Sequence, residues 1–89
     1  MAQVEVAWAK DGDIAWENWW VRRHGRTRTR LPGESDHISF ANFDLKLNGL
    51  PRIATDDDGF LFIDVSRSDY DVAREILTYH GFRVAPFSA

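Results

Sequence analysis

One stretch, residues 59–86, constrains this chain more than any other because every element in it carries its own start and stop. Asp58-Gly59 opens a short apolar run, Phe60, Leu61, Phe62, Ile63 and Val65, with the composition of a buried strand. Ser68, three residues before Asp71, carries the capping-box pattern: a hydroxyl to accept an early helical N–H and a carboxylate to reach back. Val72, Ala73, Ile76, Leu77 and His80 recur at helical spacing, with Asp71, Arg74, Glu75 and Thr78 on the other side. Gly81 suits the left-handed position after a helix. Phe82 and Val84 alternate with Arg83 as a strand does, and Pro86, which lacks an N–H, points to a sheet edge. The sequence therefore predicts strand, helix, strand, with the rest of the chain supplying their partners.

The first part yields a similar outline. Val4, Val6 and Trp8 alternate with Glu5 and Ala7, predicting a strand with the first three on one face. After the turn Lys10-Asp11-Gly12-Asp13, residues 14–24 read as a helix, acidic near its start and basic at its end, followed by Gly25. A hairpin over residues 4–21 through Asp11-Gly12 is the competing reading. Residues 27–31 alternate and end at Pro32-Gly33. Glu34-Ser35-Asp36 reads as a polar loop. Residues 38–47 read as a long strand whose alternation changes phase, which a bulge near Ala41-Asn42 reconciles. Asn48-Gly49 is a hairpin signal weakened by Pro51, residues 52–55 read as a short return strand, and Asp56-Asp57-Asp58-Gly59 as a turn.

His24-Gly25 and His80-Gly81 fall at equivalent places in the two halves. That echo predicts an α+β class and a small two-layer sandwich. The specific expectation is a ferredoxin-like βαββαβ arrangement with an extra β-hairpin in the middle and two helices on one face of a mostly antiparallel sheet, residues 38–55 forming that hairpin or else an extended second strand. At 89 residues the chain is expected to be a single domain, 1–89.

Composition narrows the function classes. There is no cysteine, so disulfides and thiolate zinc sites are excluded. No apolar run reaches the roughly 20 residues of a membrane span, and Met-Ala-Gln-Val-Glu does not read as a signal peptide. A cytoplasmic protein without a membrane partner is expected. The net charge of −3 makes no general demand for nucleic acid, yet five of the eleven basic residues lie between Arg22 and Arg30.

Two clusters stand out as candidate sites. Arg22, Arg23, Arg26, Arg28 and Arg30 offer guanidinium forks to phosphates or carboxylates. Protection of an edge strand by charge is the simpler explanation. Trp19 and Trp20, adjacent on a helix and so about 100° apart, cannot both be central to a core. At least one is expected to be partly exposed beside the arginines, as at a protein interface. Trp8 and Trp16 complete the indole set, and sealing a small core is its plainer role.

Other patterns carry less. The Asp56–Asp58 run lacks the alternation and distal Glu of a calcium loop, and with Asp36, Asp44 and Asp64 forms at most an acidic face. His24 and His80 sit at helix ends, where a cation is favoured. Ser35-Asp36-His37 resembles a triad only in letters. No cofactor or metal pattern is present. The expectation is a non-enzymatic protein-binding or inhibitor protein, its partner another protein or a nucleoprotein complex. Small acidic domains of this kind are typical of phage or mobile-element inhibitors, anti-CRISPR-like proteins among them, an association of class alone. Alternatives are nucleic-acid binding through segment 22–30, and a homodimeric structural domain.

Overall fold

In the computed structural model, residues 1–8, 24–25 and 30–88 are described. They form, in chain order, β1 (Ala2–Trp8), α1 (Glu34–Leu47), β2 (Ala54–Thr55), β3 (Leu61–Val65), α2 (Arg67–Tyr79) and β4 (Phe82–Val84). The four strands make one sheet in the order β2-β3-β1-β4, every neighbouring pair antiparallel. The described chain is thus an α+β fold with two helices and a four-stranded antiparallel sheet.

The register explains the core. Ala2 faces Val65, Val4 faces Ile63, Val6 faces both Leu61 and Val84, and Trp8 faces Phe82. Side chains alternate along a strand, so these residues share one side of the sheet. All but Ala2 and Val84 form a single buried cluster with Ala41 and Leu45 of α1 and Ala73 and Leu77 of α2, and Val84 packs against it. The other side of the sheet carries Gln3, Glu5, Phe62, Asp64 and Arg83. The alternation of Val4, Val6 and Trp8 read from sequence is the one that folds.

The strand, helix and strand expected over 59–86 are present, with one shift. The cap of α2 is Ser66, whose hydroxyl accepts the Asp69 N–H at 3.3 Å; Ser68, the expected cap, already lies inside the first turn and bonds the Ser66 hydroxyl at 3.1 Å. Gly81 has φ 86°, and its N–H donates to the Thr78 carbonyl at 3.0 Å, closing the helix. Only glycine takes that conformation without strain. β4 lies at a sheet edge, as Pro86 suggested.

Beyond β4 the tail folds back over α2. The Tyr70 hydroxyl donates to the Ala85 carbonyl at 2.6 Å, the Phe87 ring meets Tyr70 edge-on at 5.5 Å, and the Arg67 guanidinium lies 5.4 Å from the Phe87 centroid. Tyr70→Phe is expected to lower unfolding free energy by about 1 kcal/mol, the worth of one partly buried hydrogen bond. Urea denaturation measures it, and an unchanged midpoint would show that the tail is not held this way.

The largest departure from the sequence expectation is α1. Residues 38–47, read as a strand with a bulge at Ala41-Asn42, are helical, and Glu34-Ser35-Asp36, read as a loop, is the first turn. The expected extra β-hairpin therefore does not form, because its first strand is a helix. The return strand is shorter than expected, two residues against four, and pairs with β3. Two interleaved stripes produced the misreading. Ile38, Ala41 and Leu45 follow i, i+3, i+7 and face the core; Phe40, Phe43 and Leu47 follow the same spacing two residues on. An offset of two residues is about 200° around a helix, so the stripes lie on opposite sides, and together they imitate strand alternation.

The ends of α1 confirm its nature. Glu34 is buried; its N–H donates to the Leu31 carbonyl at 3.1 Å, and its Oε2 accepts the Leu31 N–H at 2.8 Å. Asn48-Gly49, read as a hairpin turn, is instead a helix stop. The Gly49 N–H donates to the Lys46 carbonyl at 3.0 Å and the Leu50 N–H to the Leu45 carbonyl at 2.9 Å, with Gly49 at φ 70°. This pair of bonds is the Schellman motif, and Pro51 prevents continuation.

The expected helix over 14–24 lies outside the described residues except for His24, which forms an exposed turn with Gly25. Of the strand expected over 27–31, Arg30 and Leu31 are not in a strand, and 27–29 lie outside the described residues.

Candidate functional site

The chemistry offered by the described surface centres on α1. Its inward stripe anchors it, and the outward stripe leaves Phe40 56%, Phe43 65% and Leu47 69% exposed. Large apolar side chains scattered singly are ordinary on a surface. Three in line on the outside of one helix form a patch of the kind that marks an interface.

A groove borders the stripe on each side. Segment 50–52 is held against α1 because the Asn42 Oδ1 accepts the Ile53 N–H at 2.7 Å. Between them lies a groove of ≈ 430 Å³ lined by Ser39, Asn42, Phe43, Lys46, Leu50 and Arg52. The opposite groove, ≈ 340 Å³, lies between the two helices and is lined by Asp44, Asn48, Val72, Glu75, Ile76 and Tyr79. One flank is cationic and the other acidic, with apolar surface between. The His80 Nε2 meets the Asp44 Oδ2 at 2.5 Å, tying α2 to α1. His80 occupies the C-cap position expected of it, but its ring is spent on this helix–helix tie.

Of the residues expected at the site, Trp19, Trp20, Arg22, Arg23, Arg26 and Arg28 lie outside the described residues. Arg30 is exposed, and its guanidinium donates to the Thr55 hydroxyl at 3.0 Å, beside the edge strand β2. Phe40, Phe43, Leu47, Lys46 and Arg52 were not singled out from the sequence. Their signal was the phase change at Ala41-Asn42 together with the stop at Asn48-Gly49-Leu50-Pro51, which a helical reading of 34–47 accommodates.

The remaining patterns resolve into structural roles. Ser35, Asp36 and His37 succeed one another on a helix turn, each rotated about 100° from the last, and the His37 ring lies 4.2 Å from Trp8 and 5.8 Å from Phe40. That is a packing role with no relay geometry. The Asp56 Oδ1 accepts the N–H groups of Asp58 and Phe60, each at 2.9 Å, shaping the β2–β3 turn. Asp64 lies on the sheet side away from the core cluster, so the acids do not assemble into one face. Among the described residues no group of three or more His, Cys, Asp or Glu is placed to hold a metal ion. Nor, among them, is any helix long and apolar enough to cross a membrane.

No protein family, curated protein or solved structure matches the chain.

Proposed function

We propose that this chain is a non-enzymatic protein-binding domain that makes contact through the outward face of α1. The observation carrying this reading is the aligned exposure of Phe40, Phe43 and Leu47. A helix apolar on two sides ordinarily has a neighbour on both, and here the described chain supplies one. Apolar contact at the centre with charge at the margins is the anatomy of protein interfaces. The mode this suggests is a helix face laid against a partner's groove or helix.

Inhibition of a host complex, as phage or mobile-element proteins achieve, is one role within this proposal. Trp19, Trp20 and the arginines from Arg22 to Arg30 remain proposed as additional contacts. We also infer that the order β1-α1-β2-β3-α2-β4, with β1 and β3 central, belongs to the ferredoxin-like split-βαβ pattern; the three antiparallel pairings support this.

The test is affinity capture from the native host with the unmodified chain, with Phe43→Glu/Leu47→Glu and with Trp20→Ala/Arg23→Ala. The expected outcome is a protein partner retained by the first and reduced at least about tenfold by the second, since a buried charge at an interface centre costs several kcal/mol. Both changed positions are exposed, so thermal melting should be unaltered. Equal capture by the first two baits would refute the α1 assignment. Capture abolished by nuclease would favour nucleic-acid binding instead.

A further inference from the structure

The groove between α1 and segment 50–52 has a chemistry that identifies its occupant, and we infer that it receives an acidic segment of a partner protein. One apolar side chain would seat against Phe43 and Leu50, with flanking carboxylates on Lys46 and Arg52. This rests on the protein-binding reading above and specifies the partner's character.

Charge is the first ground. Acidic residues outnumber basic ones fourteen to eleven, yet none of the six residues lining the groove is acidic. The side chains of Lys46 and Arg52 are exposed and make no ion pair or hydrogen bond among the described residues. Lys46 has no acidic neighbour to pair with along the helix, its i−4 and i−3 positions being Asn42 and Phe43. The helix dipole accounts for a cation in the last turn of α1 but not for Arg52, which lies beyond the helix end.

Polar valence is the second ground. The Asn42 carbonyl oxygen accepts the Ile53 N–H at one lone pair, and the amide N–H groups of Asn42 are its donors to offer a ligand. The Ser39 hydroxyl is engaged with the Ser35 carbonyl at 3.1 Å. The donors left in the groove are therefore the Asn42 amide and the two cations, which complement a carboxylate, while the Ser39 oxygen, its proton given to the Ser35 carbonyl, can only accept.

Preorganisation is the third. The Asn42–Ile53 bond and the Leu50–Leu45 bond fix segment 50–52 on α1, so the backbone positions that carry the two cations are set beside the apolar floor before a partner arrives. A nucleic acid, with a phosphate charge about every 1.7 Å of duplex, would find only two cations here on a chain of net charge −3.

The test is a titration of the isotopically labelled full chain, followed by backbone amide shifts, with three probes. One is a hexapeptide of two leucines flanked by glutamates, the second its counterpart with lysines, the third a twelve-residue thymidine oligonucleotide. The expected result is saturable shifts at Phe43, Lys46, Leu50 and Arg52 with the glutamate peptide, at least about tenfold tighter than with the lysine peptide. Lys46→Glu/Arg52→Glu should reverse that preference with the remaining spectrum intact, and salt should weaken it. Equal binding of the two peptides, or no shift in the groove with either, overturns the acidic-partner inference. The protein-binding reading is then judged separately by the Phe43→Glu/Leu47→Glu capture. Groove shifts with the oligonucleotide alone would overturn both.

Discussion

Leu45→Ala is expected to destabilise the fold by about 2–5 kcal/mol, whereas Leu47→Ala, two residues away, should change stability by no more than about 0.5 kcal/mol. Leu45 is completely buried against the sheet, and Leu47 stands outward. The contrast separates helix from strand. In a strand, positions 45 and 47 share a face, so the two substitutions would have similar effects. In α1 they lie about 200° apart, and only the inward one leaves a cavity. A small domain has about 5–15 kcal/mol of stability in total, so the Leu45 variant should lose a large share of it. Urea unfolding of the two variants measures the difference, and near-equal losses would contradict the helix.

Trp8→Ala should be comparably severe, about 3–5 kcal/mol. Trp8 ends β1, pairs with Phe82 of β4, meets the Phe82 ring edge-on at 5.4 Å and lies against His37 of α1 at 4.2 Å. A methyl group added at Gly81 would come within 3.8 Å of the indole. One ring therefore joins two strands, a helix and the stop of α2. Its Nε1–H, however, is buried without a hydrogen-bond partner among the described residues. An unpaired buried donor is itself costly, so Trp8→Phe should lose less than half as much as Trp8→Ala, removing that donor along with the lost ring area. Equal losses in thermal or urea unfolding would mean that the indole N–H is satisfied and contributes to stability.

The second half of the fold was legible because local signals and tertiary demands agree there. Gly59, Ser66 and Gly81 mark boundaries, and Ala73 and Leu77 form a single apolar stripe that the sheet buries. The shift of the cap from Ser68 to Ser66 follows from two serines in the run Ser66-Arg67-Ser68, of which the earlier hydroxyl reaches the Asp69 N–H. Strand β1 was legible for a similar reason, its alternation matching one buried face. Helix α1 was not, because a helix apolar on both sides loses the one-sided periodicity by which helices are read. Its Asn48-Gly49 stop serves hairpins and Schellman ends equally, and the following Leu50-Pro51 was the information that decided between them. The candidate site shares that history. Phe40, Phe43 and Leu47 look like strand residues until the helix is assigned, after which their exposure becomes the unusual feature. Lys46 and Arg52 become neighbours only once segment 50–52 folds back along α1.

Solvent paramagnetic relaxation, measured on the methyl and aromatic protons with a soluble gadolinium chelate, addresses the two-sided helix directly. Strong enhancement is expected at Phe40, Phe43 and Leu47, with Ile38 weakly affected and Ala41 and Leu45 protected. Protection shared by Phe43, Leu45 and Leu47, the pattern of a strand face, would contradict it.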